Sequence, residues 1–238
     1  MKLADRMKKY EYITRQHALP RTPLIIRVDG RAFHTLTKRF NKPFDPLFKN
    51  AMLAAAEGVI NQLQGFKCAY VQSDEITFLL TDCDDLNTQG WFDYNISKMT
   101  SISAALASVH FNKYLLKNNE TFYDPVQIFD SRAFNVPVDE VSNIFLWRAK
   151  DNYKNSVQMF ARSLFPHKEL HGKSIETMLT MCREKGKPWE DIKDMYKNGT
   201  FIINDPKIRF IFDIRPNFTD INNLIKPLII FNKEENNE

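Results

Sequence analysis

Three acidic residues stand at the ends of short β-prone runs, where carboxylates can meet and bind a cation. Asp29 follows the apolar run of residues 24–28, and the pair Asp74 and Glu75 separates the runs 68–73 and 76–80. Like carboxylates held together repel one another, and a hard cation such as Mg²⁺ relieves that repulsion. Two such ions can activate an attacking hydroxyl group and stabilise a leaving phosphate oxygen. If the three carboxylates lie close together, their arrangement indicates an enzyme of phosphoryl or nucleotidyl transfer.

The order of the surrounding elements predicts that the carboxylates do meet. The expected elements are a strand at 24–28, a helix capped by Asp45 and Pro46 that ends near Gly65, a hairpin with Asp74 and Glu75 at its turn, a helix over about 92–115, a strand at 126–130 and a long helix from Pro137 to about Leu164. This βαββαβ order, followed by a helix, is typical of a ferredoxin-like α+β fold: an antiparallel sheet with helices on one face. The first strand then lies beside the central hairpin.

The predicted domain organisation follows from the same elements. Residues 1–137 form the catalytic core with a basic N-terminal segment. Residues 138–232 form the long helix and a C-terminal α/β extension packed on the core, and residues 233–238 form a disordered tail. Within the extension, Ser174 is expected to cap a short helix, and strands are expected at 200–203 and 208–215.

Composition excludes several classes of protein. Glycine is scarce, with 7 in 238 residues, and neither GxGxxG nor GxxxxGK[ST] occurs, which excludes the glycine-rich phosphate loops. No apolar stretch of about 18 residues is present, so no membrane partner is expected. Three scattered cysteines predict neither a disulfide framework nor a zinc site and favour a reduced, cytoplasmic setting.

Charge is distributed unevenly along the chain. Residues 1–50 carry 12 Lys and Arg against 4 Asp and Glu, a net charge of +8, and the remainder carries a net charge of −4. A basic segment favours phosphate-bearing partners, although solvated surface lysines would give the same count. Each acidic feature also has an ordinary alternative, because Asp29 could end a strand and Asp74 could lie at an exposed hairpin tip.

An ordered set of motifs resembles the tRNA-His guanylyltransferase family, and more closely its bacterial, archaeal and phage-type guanylyltransferase-like branch. The matching segments run from about residue 5 to residue 203. They are DRMKxYE from Asp5, RVDGRAFH from Arg27, KP from Lys42, AYxQSDE from Ala69, SK from Ser97, FDSR from Phe129, WRxxD from Trp147 and YxxGT from Tyr196.

The resemblance implies a polymerase-like palm that adds nucleotides to the 5′ end of tRNA in the 3′-to-5′ direction. The 3′-hydroxyl of an incoming nucleotide attacks a 5′ end activated as a triphosphate or as an adenylate, and pyrophosphate or AMP leaves. ATP and GTP or another nucleoside triphosphate are the implied substrates. The implied partner is tRNA-His or a 5′-truncated tRNA, and the implied assembly is a homotetramer.

The resemblance also implies roles for individual residues. Asp29, the Gly30 carbonyl and Asp74 would hold two Mg²⁺ ions, with Glu75 supporting them as a further catalytic residue. The implied nucleotide-binding residues are Asp29, Gly30, Arg31, Ala32, Phe33, His34, Lys42, Ser73, Asp74, Lys98 and Asn155.

Two departures from the eukaryotic pattern favour the like-protein branch, which repairs 5′-truncated tRNAs. Tyr153, Lys154 and Asn155 stand in place of a His-Ile-Asn motif, and Tyr94 and Asn95 stand in place of an Arg pair. Two other functions compete with nucleotide addition: a nucleotide cyclase with a similar palm, and a non-catalytic RNA-binding module. The basic segment weighs against the cyclase, and the intact acidic residues weigh against the binding module.

Overall fold

The computed structural model describes residues 1–84, 87–122, 126–204 and 207–229. In these ranges, the helices are α1 (Leu3–Ile13), α2 (Phe33–Leu36), α3 (Pro46–Ile60), α4 (Ile96–Asn118), α5 (Val141–Leu164), α6 (His167–Leu170), α7 (Ile175–Glu184), α8 (Asp194–Lys197) and α9 (Phe218–Ile229). The strands are β1 (Leu24–Gly30), β2 (Phe66–Gln72), β3 (Glu75–Leu80), β4 (Phe129–Asn135), β5 (Thr200–Asn204) and β6 (Ile208–Ile211). The predicted tail, 233–238, lies outside the described residues.

One six-stranded sheet organises the molecule, with strand order β4-β1-β3-β2-β5-β6. All neighbouring strands are antiparallel. The first four strands have the predicted βαββαβ topology, and β1 lies beside the β2–β3 hairpin as expected. The α+β ferredoxin-like fold is therefore confirmed.

Helices cover both faces of the sheet. Apolar residues of α3 and α4 pack on one face, including Met52, Val59 and Phe111, which are fully buried. This is the single helical face predicted for the core. α5 and α9 cover part of the opposite face through Phe145 and Ile225. The extension thus both lengthens the sheet, through β5 and β6, and covers its second face; a domain boundary near residue 137 stays a prediction.

The predicted helix starts are confirmed where a side chain caps the helix. Asp45 Oδ1 accepts a hydrogen bond from the Leu47 N–H at 2.7 Å, and Pro46 begins α3. Ser174 Oγ accepts one from the Thr177 N–H at 3.1 Å. α4 begins later than expected, because residues 92–94 adopt positive φ values and Asn95 caps the helix instead.

The fourth strand was predicted at 126–130 and lies at Phe129–Asn135 instead. The apolar run that suggested the earlier position is not buried: Val126 is 64% exposed and Ile128 is 45% exposed. Cross-strand pairing with β1 sets the true position, from Gly30 opposite Phe129 to Leu24 opposite Asn135. Similarly, β6 stops at Ile211, where its pairing with β5 ends, and not at residue 215.

In the ranges that the structure describes, no helix is both long and apolar enough to cross a membrane.

Candidate active site

Asp29 and Glu75 are brought together by the register of β1 and β3. They are direct cross-strand partners, and Asp130 of β4 lies opposite Asp29 on the other side. The Gly30 N–H donates a hydrogen bond to the Asp74 carbonyl oxygen at 2.9 Å, which joins the end of β1 to the hairpin turn. That turn consists of Ser73 and Asp74, because Gln72 already pairs with Glu75. Glu75 is consequently the first residue of β3 and not a turn residue.

Burial and neighbouring carboxylates raise the pKa values of Asp29 and Asp74. Burial raises the pKa of Asp29 to about 6, with further contributions from Asp74, Glu75 and Asp130. Burial also raises the pKa of Asp74, and Glu75 adds to that effect. The metal-free arrangement therefore favours uptake of a proton or of a cation at Asp29.

Asp29 and Asp74 fit a magnesium site. In the described part of the chain, neither carboxylate forms an ion pair with Lys or Arg. No group of three His, Cys, Asp or Glu side chains there has metal-binding geometry. Two carboxylates suffice for Mg²⁺, which takes its other ligands from backbone carbonyls, waters and substrate phosphates.

Glu75 has a different environment from the other two carboxylates. Arg148 of α5 donates to it twice, from Nε to Oε1 at 2.6 Å and from a terminal nitrogen to Oε2 at 2.7 Å. Arg27 Nε lies 3.8 Å from Oε2, and Gln72 and Thr77 lie at 3.3 and 3.4 Å from Oε1. Glu75 is 7% exposed, and the Arg148 guanidinium group neutralises its charge. These contacts are typical of a positioning residue that holds α5 against the sheet.

A cleft opens beside the hairpin turn, with about 690 Å³ of atom-free space that includes the open solvent at its mouth. Its walls come from the loop before α3, from the first turn of α3, from α5 and from α8. Three of the predicted nucleotide-binding residues, Lys42, Ser73 and Asn155, line it together. Phe44 and Tyr196 also line it, with their rings stacked at 5.2 Å between centroids and 8° between planes.

The predicted segment 29–34 divides between site and core. Phe33 is 2% exposed, and its ring contacts Phe111 and Phe129 at centroid distances of 5.2 and 5.0 Å. Its side chain therefore belongs to the core, and a contact of Phe33 with the nucleotide, which its backbone would have to make, stays a prediction. A Cβ atom on Gly30 would lie 2.6 Å from this ring, so the close packing requires glycine. Arg31 and His34 are exposed, and Ala32 has a positive φ of 57°.

Lys98 lies at the other end of the sheet from the carboxylates. Its N–H donates to Asn95 Oδ1 at 3.0 Å, and the Tyr94 hydroxyl donates to Asp82 at 2.6 Å. Asp82 follows β3 at the end where Leu80 pairs with Leu24. Asp29 is five residues further along β1, about 16 Å away at ~3.3 Å per residue. Within one chain, Lys98 is therefore not brought to the cleft, and Tyr94 and Asn95 have structural contacts.

Sequence reasoning assigned no site role to Arg148, Asp130, Lys49 or the stacked pair of Phe44 and Tyr196. Arg148 had a signal, because it lies in the WRxxD motif. Lys49 had none, since a lysine in the first turns of an amphipathic helix is ordinarily solvated.

Comparison with known proteins places this geometry in a family. The family model "tRNAHis guanylyltransferase" matches residues 4–137. The tRNA(His) guanylyltransferase of Schizosaccharomyces pombe is 32% identical over 154 residues, which cover 63% of this chain and 56% of that protein.

Two solved structures have the same fold over nearly the whole chain. A bacterial tRNA(His) guanylyltransferase (Thg1)-like protein in complex with ATP has a TM-score of 0.90 and 36% identity, covering 96% of this chain and all of that one. A bacterial protein of the same description in complex with GTP has a TM-score of 0.81 and 32% identity over the same shares. Because the family model spans more than half of the sequence and includes both Asp29 and Asp74, the chain belongs to the tRNA(His) guanylyltransferase family of nucleotidyltransferases.

Proposed function

We propose that this protein is a Mg²⁺-dependent 3′–5′ nucleotidyltransferase that adds nucleotides to the 5′ end of tRNA. The observation that carries the proposal is the juxtaposition of Asp29 and Asp74, two carboxylates with raised pKa values and no ion pair to Lys or Arg among the described residues. A pair of this kind is suited to Mg²⁺ and therefore to phosphate chemistry.

Asp29, the Gly30 carbonyl and Asp74 would hold two Mg²⁺ ions. Bound there, the ions would lower the pKa of the attacking hydroxyl group and stabilise the leaving phosphate oxygen. In the reaction, the 3′-oxygen of the incoming nucleotide bonds to the 5′ phosphorus of the tRNA. Pyrophosphate leaves a triphosphorylated end, and AMP leaves an adenylylated one.

The cleft is proposed to bind the nucleoside triphosphate. Lys42 supplies a positive charge, and Ser73 and Asn155 supply polar groups from the hairpin turn and from α5. The similar bacterial proteins hold ATP or GTP, which supports a nucleotide of this class. Arg148, which pairs with Glu75, lies on α5 two turns before Asn155. The ion pair therefore fixes the position of the α5 wall of the cleft relative to the carboxylates.

The first 13 residues support contact with tRNA and with other copies of the chain. α1 has no buried residue, and its basic side chains are free to meet phosphates. Its apolar side chains Leu3, Met7, Tyr10 and Ile13 recur at helical spacing and are 44–78% exposed. We propose that this stripe is covered in a homotetramer. Repair of 5′-truncated tRNA and guanylylation of tRNA-His are both compatible with the site, and the cytoplasmic setting stays a prediction from cysteine usage.

The deciding experiment supplies a 5′-truncated tRNA together with Mg²⁺, ATP and the other nucleoside triphosphates. The tRNA is tested with a triphosphate and with a monophosphate at its 5′ end. We expect lengthening at the 5′ end, lost with EDTA and in Asp29→Asn and Asp74→Asn, while both variants still bind tRNA. Cyclic nucleotide formed without RNA would indicate the cyclase instead. Full activity of either variant would overturn the assignment of the metal site.

A further inference from the structure

Lys49 lies on the wall of the cleft and has no role in the function proposed above. It lies one turn into α3, is partly buried, and lines the same cleft as Lys42 and Tyr196. Among the described residues, its ammonium group has no hydrogen-bond or ion-pair partner. A partly buried ammonium group that lacks a partner gains a favourable interaction when a ligand supplies an anion.

None of the charged or titratable groups in the described lining of the cleft forms an ion pair with Lys49. In the described lining these groups are Lys42, Asp45, Lys49 and Tyr196, and α5 contributes only neutral side chains. The single carboxylate, Asp45, is already used: one oxygen caps α3, and the other accepts from the Asn41 N–H and side-chain amide at 2.8 and 3.0 Å. These donors are neutral, so the described cleft has two lysines and one carboxylate, and that carboxylate bonds to amides and not to Lys49.

We infer that Lys49 is a phosphate-binding residue for the nucleoside triphosphate in this cleft, acting beside Lys42. The inference rests on the proposed function, since it assumes that a nucleotide occupies the cleft. Phosphates are the anionic groups of a nucleoside triphosphate at neutral pH, so a lysine that lacks an anion meets a phosphate there and not the base or sugar. A charge-assisted bond of this kind is stronger than one between neutral groups.

Nucleotide binding should then be linked to proton uptake. Burial lowers the pKa of Lys49 to about 7 in the empty cleft. A bound phosphate favours the charged form and returns the pKa towards its ordinary value near 10. Lys49 would therefore take up about 0.1 proton on binding at pH 6, about 0.5 at pH 7 and about 0.9 at pH 8. Lys49→Arg keeps the positive charge but does not titrate in this range.

The test is isothermal titration calorimetry with ATP at these three pH values, each in two buffers with different ionisation enthalpies. Proton uptake by wild type is compared with uptake by Lys49→Arg, which cancels protons exchanged by ATP itself. We expect wild type to take up more protons than Lys49→Arg by the amounts given above. The dissociation constant for ATP should rise about 10-fold or more in Lys49→Met and only a few fold in Lys49→Arg. Lys113→Met, on the exposed side of α4, should match wild type in both measurements.

The possible failures are distinguishable. If wild type does not bind ATP or GTP saturably, the proposed function of the cleft fails, and the role of Lys49 fails with it. If wild type binds, but Lys49→Met binds equally well with equal proton uptake, only the role of Lys49 is overturned. Should Lys49→Met not fold, equal proton uptake by wild type and Lys49→Arg overturns it without that variant.

Discussion

The bridge between Glu75 and Arg148 should be among the most stabilising polar contacts of the fold. The perturbation is Arg148→Met, which preserves most of the side-chain volume and removes the guanidinium group. Both side chains are about one-tenth exposed, so solvent screens the pair weakly. Breaking a buried pair by removing one partner costs about 3–5 kcal/mol. Because Arg27 remains 3.8 Å from Glu75, we expect the lower end, about 3 kcal/mol.

Glu75→Gln should cost less, about 2 kcal/mol, because Arg148 keeps an ion pair with Asp151 at 3.2 Å. In the double variant, the two losses should not add, and a coupling energy of about 2 kcal/mol is expected for groups in contact.

The assay is urea unfolding of wild type, the two single variants and the double variant. A loss of 3 kcal/mol moves the midpoint by about 1 M or more at the usual dependence on urea. Lys150→Met, an exposed α5 lysine, is the matched control and should leave the midpoint unchanged. A coupling energy below about 0.5 kcal/mol would refute the reasoning, since the pair would then have no net interaction beyond that of a surface ion pair.

Three further predictions concern pH, the core and the RNA. Because the pKa of Asp29 rises to about 6 on folding, the metal-free folded state holds the extra proton, and stability should fall as pH rises from about 4 to 6. In EDTA, Asp29→Asn should therefore stabilise the protein by about 1 kcal/mol at pH 8, after allowance for solvent screening, and should not stabilise it at pH 4. The same difference in unfolding midpoint between wild type and variant at both pH values would contradict this. Phe33→Leu should destabilise the chain by about 1–2 kcal/mol yet leave the dissociation constant for ATP unchanged, and weaker ATP binding in the folded variant would return Phe33 to the site. Affinity for tRNA should fall steeply with salt, and Lys8→Ala with Lys9→Ala should reduce the slope of log K against log[salt] by up to about 2; an unchanged slope would exclude α1 from phosphate contact.

Local signals were sufficient where short-range chemistry decides the structure. Asp45 and Ser174 were predicted as caps and are caps, because capping depends on a side chain and an amide two or three residues away. The positions of β4 and of the start of α4 were wrong by several residues. Strand pairing with β1 decides the first, and the cap at Asn95 decides the second.

The predicted nucleotide-binding residues do not all lie together in the fold. Lys42, Ser73 and Asn155 line one cleft, although 113 positions separate the first from the last. The Phe33 side chain is in the core, because its ring packs directly against Gly30. The motif alone does not show on which side of the backbone that ring lies. Lys98 is at the other end of the sheet, since it belongs to the helix that begins there.

By itself, the sequence determined the class of fold, the family and the meeting of Asp29 with the hairpin, because these depend on the order of elements and on residue types. Only the tertiary structure decided which charges are neutralised. Glu75 and Asp74 are adjacent in sequence and alike in chemistry, yet the strand directs Glu75 to Arg148, and the turn leaves Asp74 without a cation among the described residues. In the same way, the structure left Lys49 without an ion-pair partner, because the Asp45 carboxylate in the same cleft accepts from the amides of Leu47 and Asn41 instead. A charge is neutralised by whatever packing brings within a few ångströms, and that distance is a property of the fold.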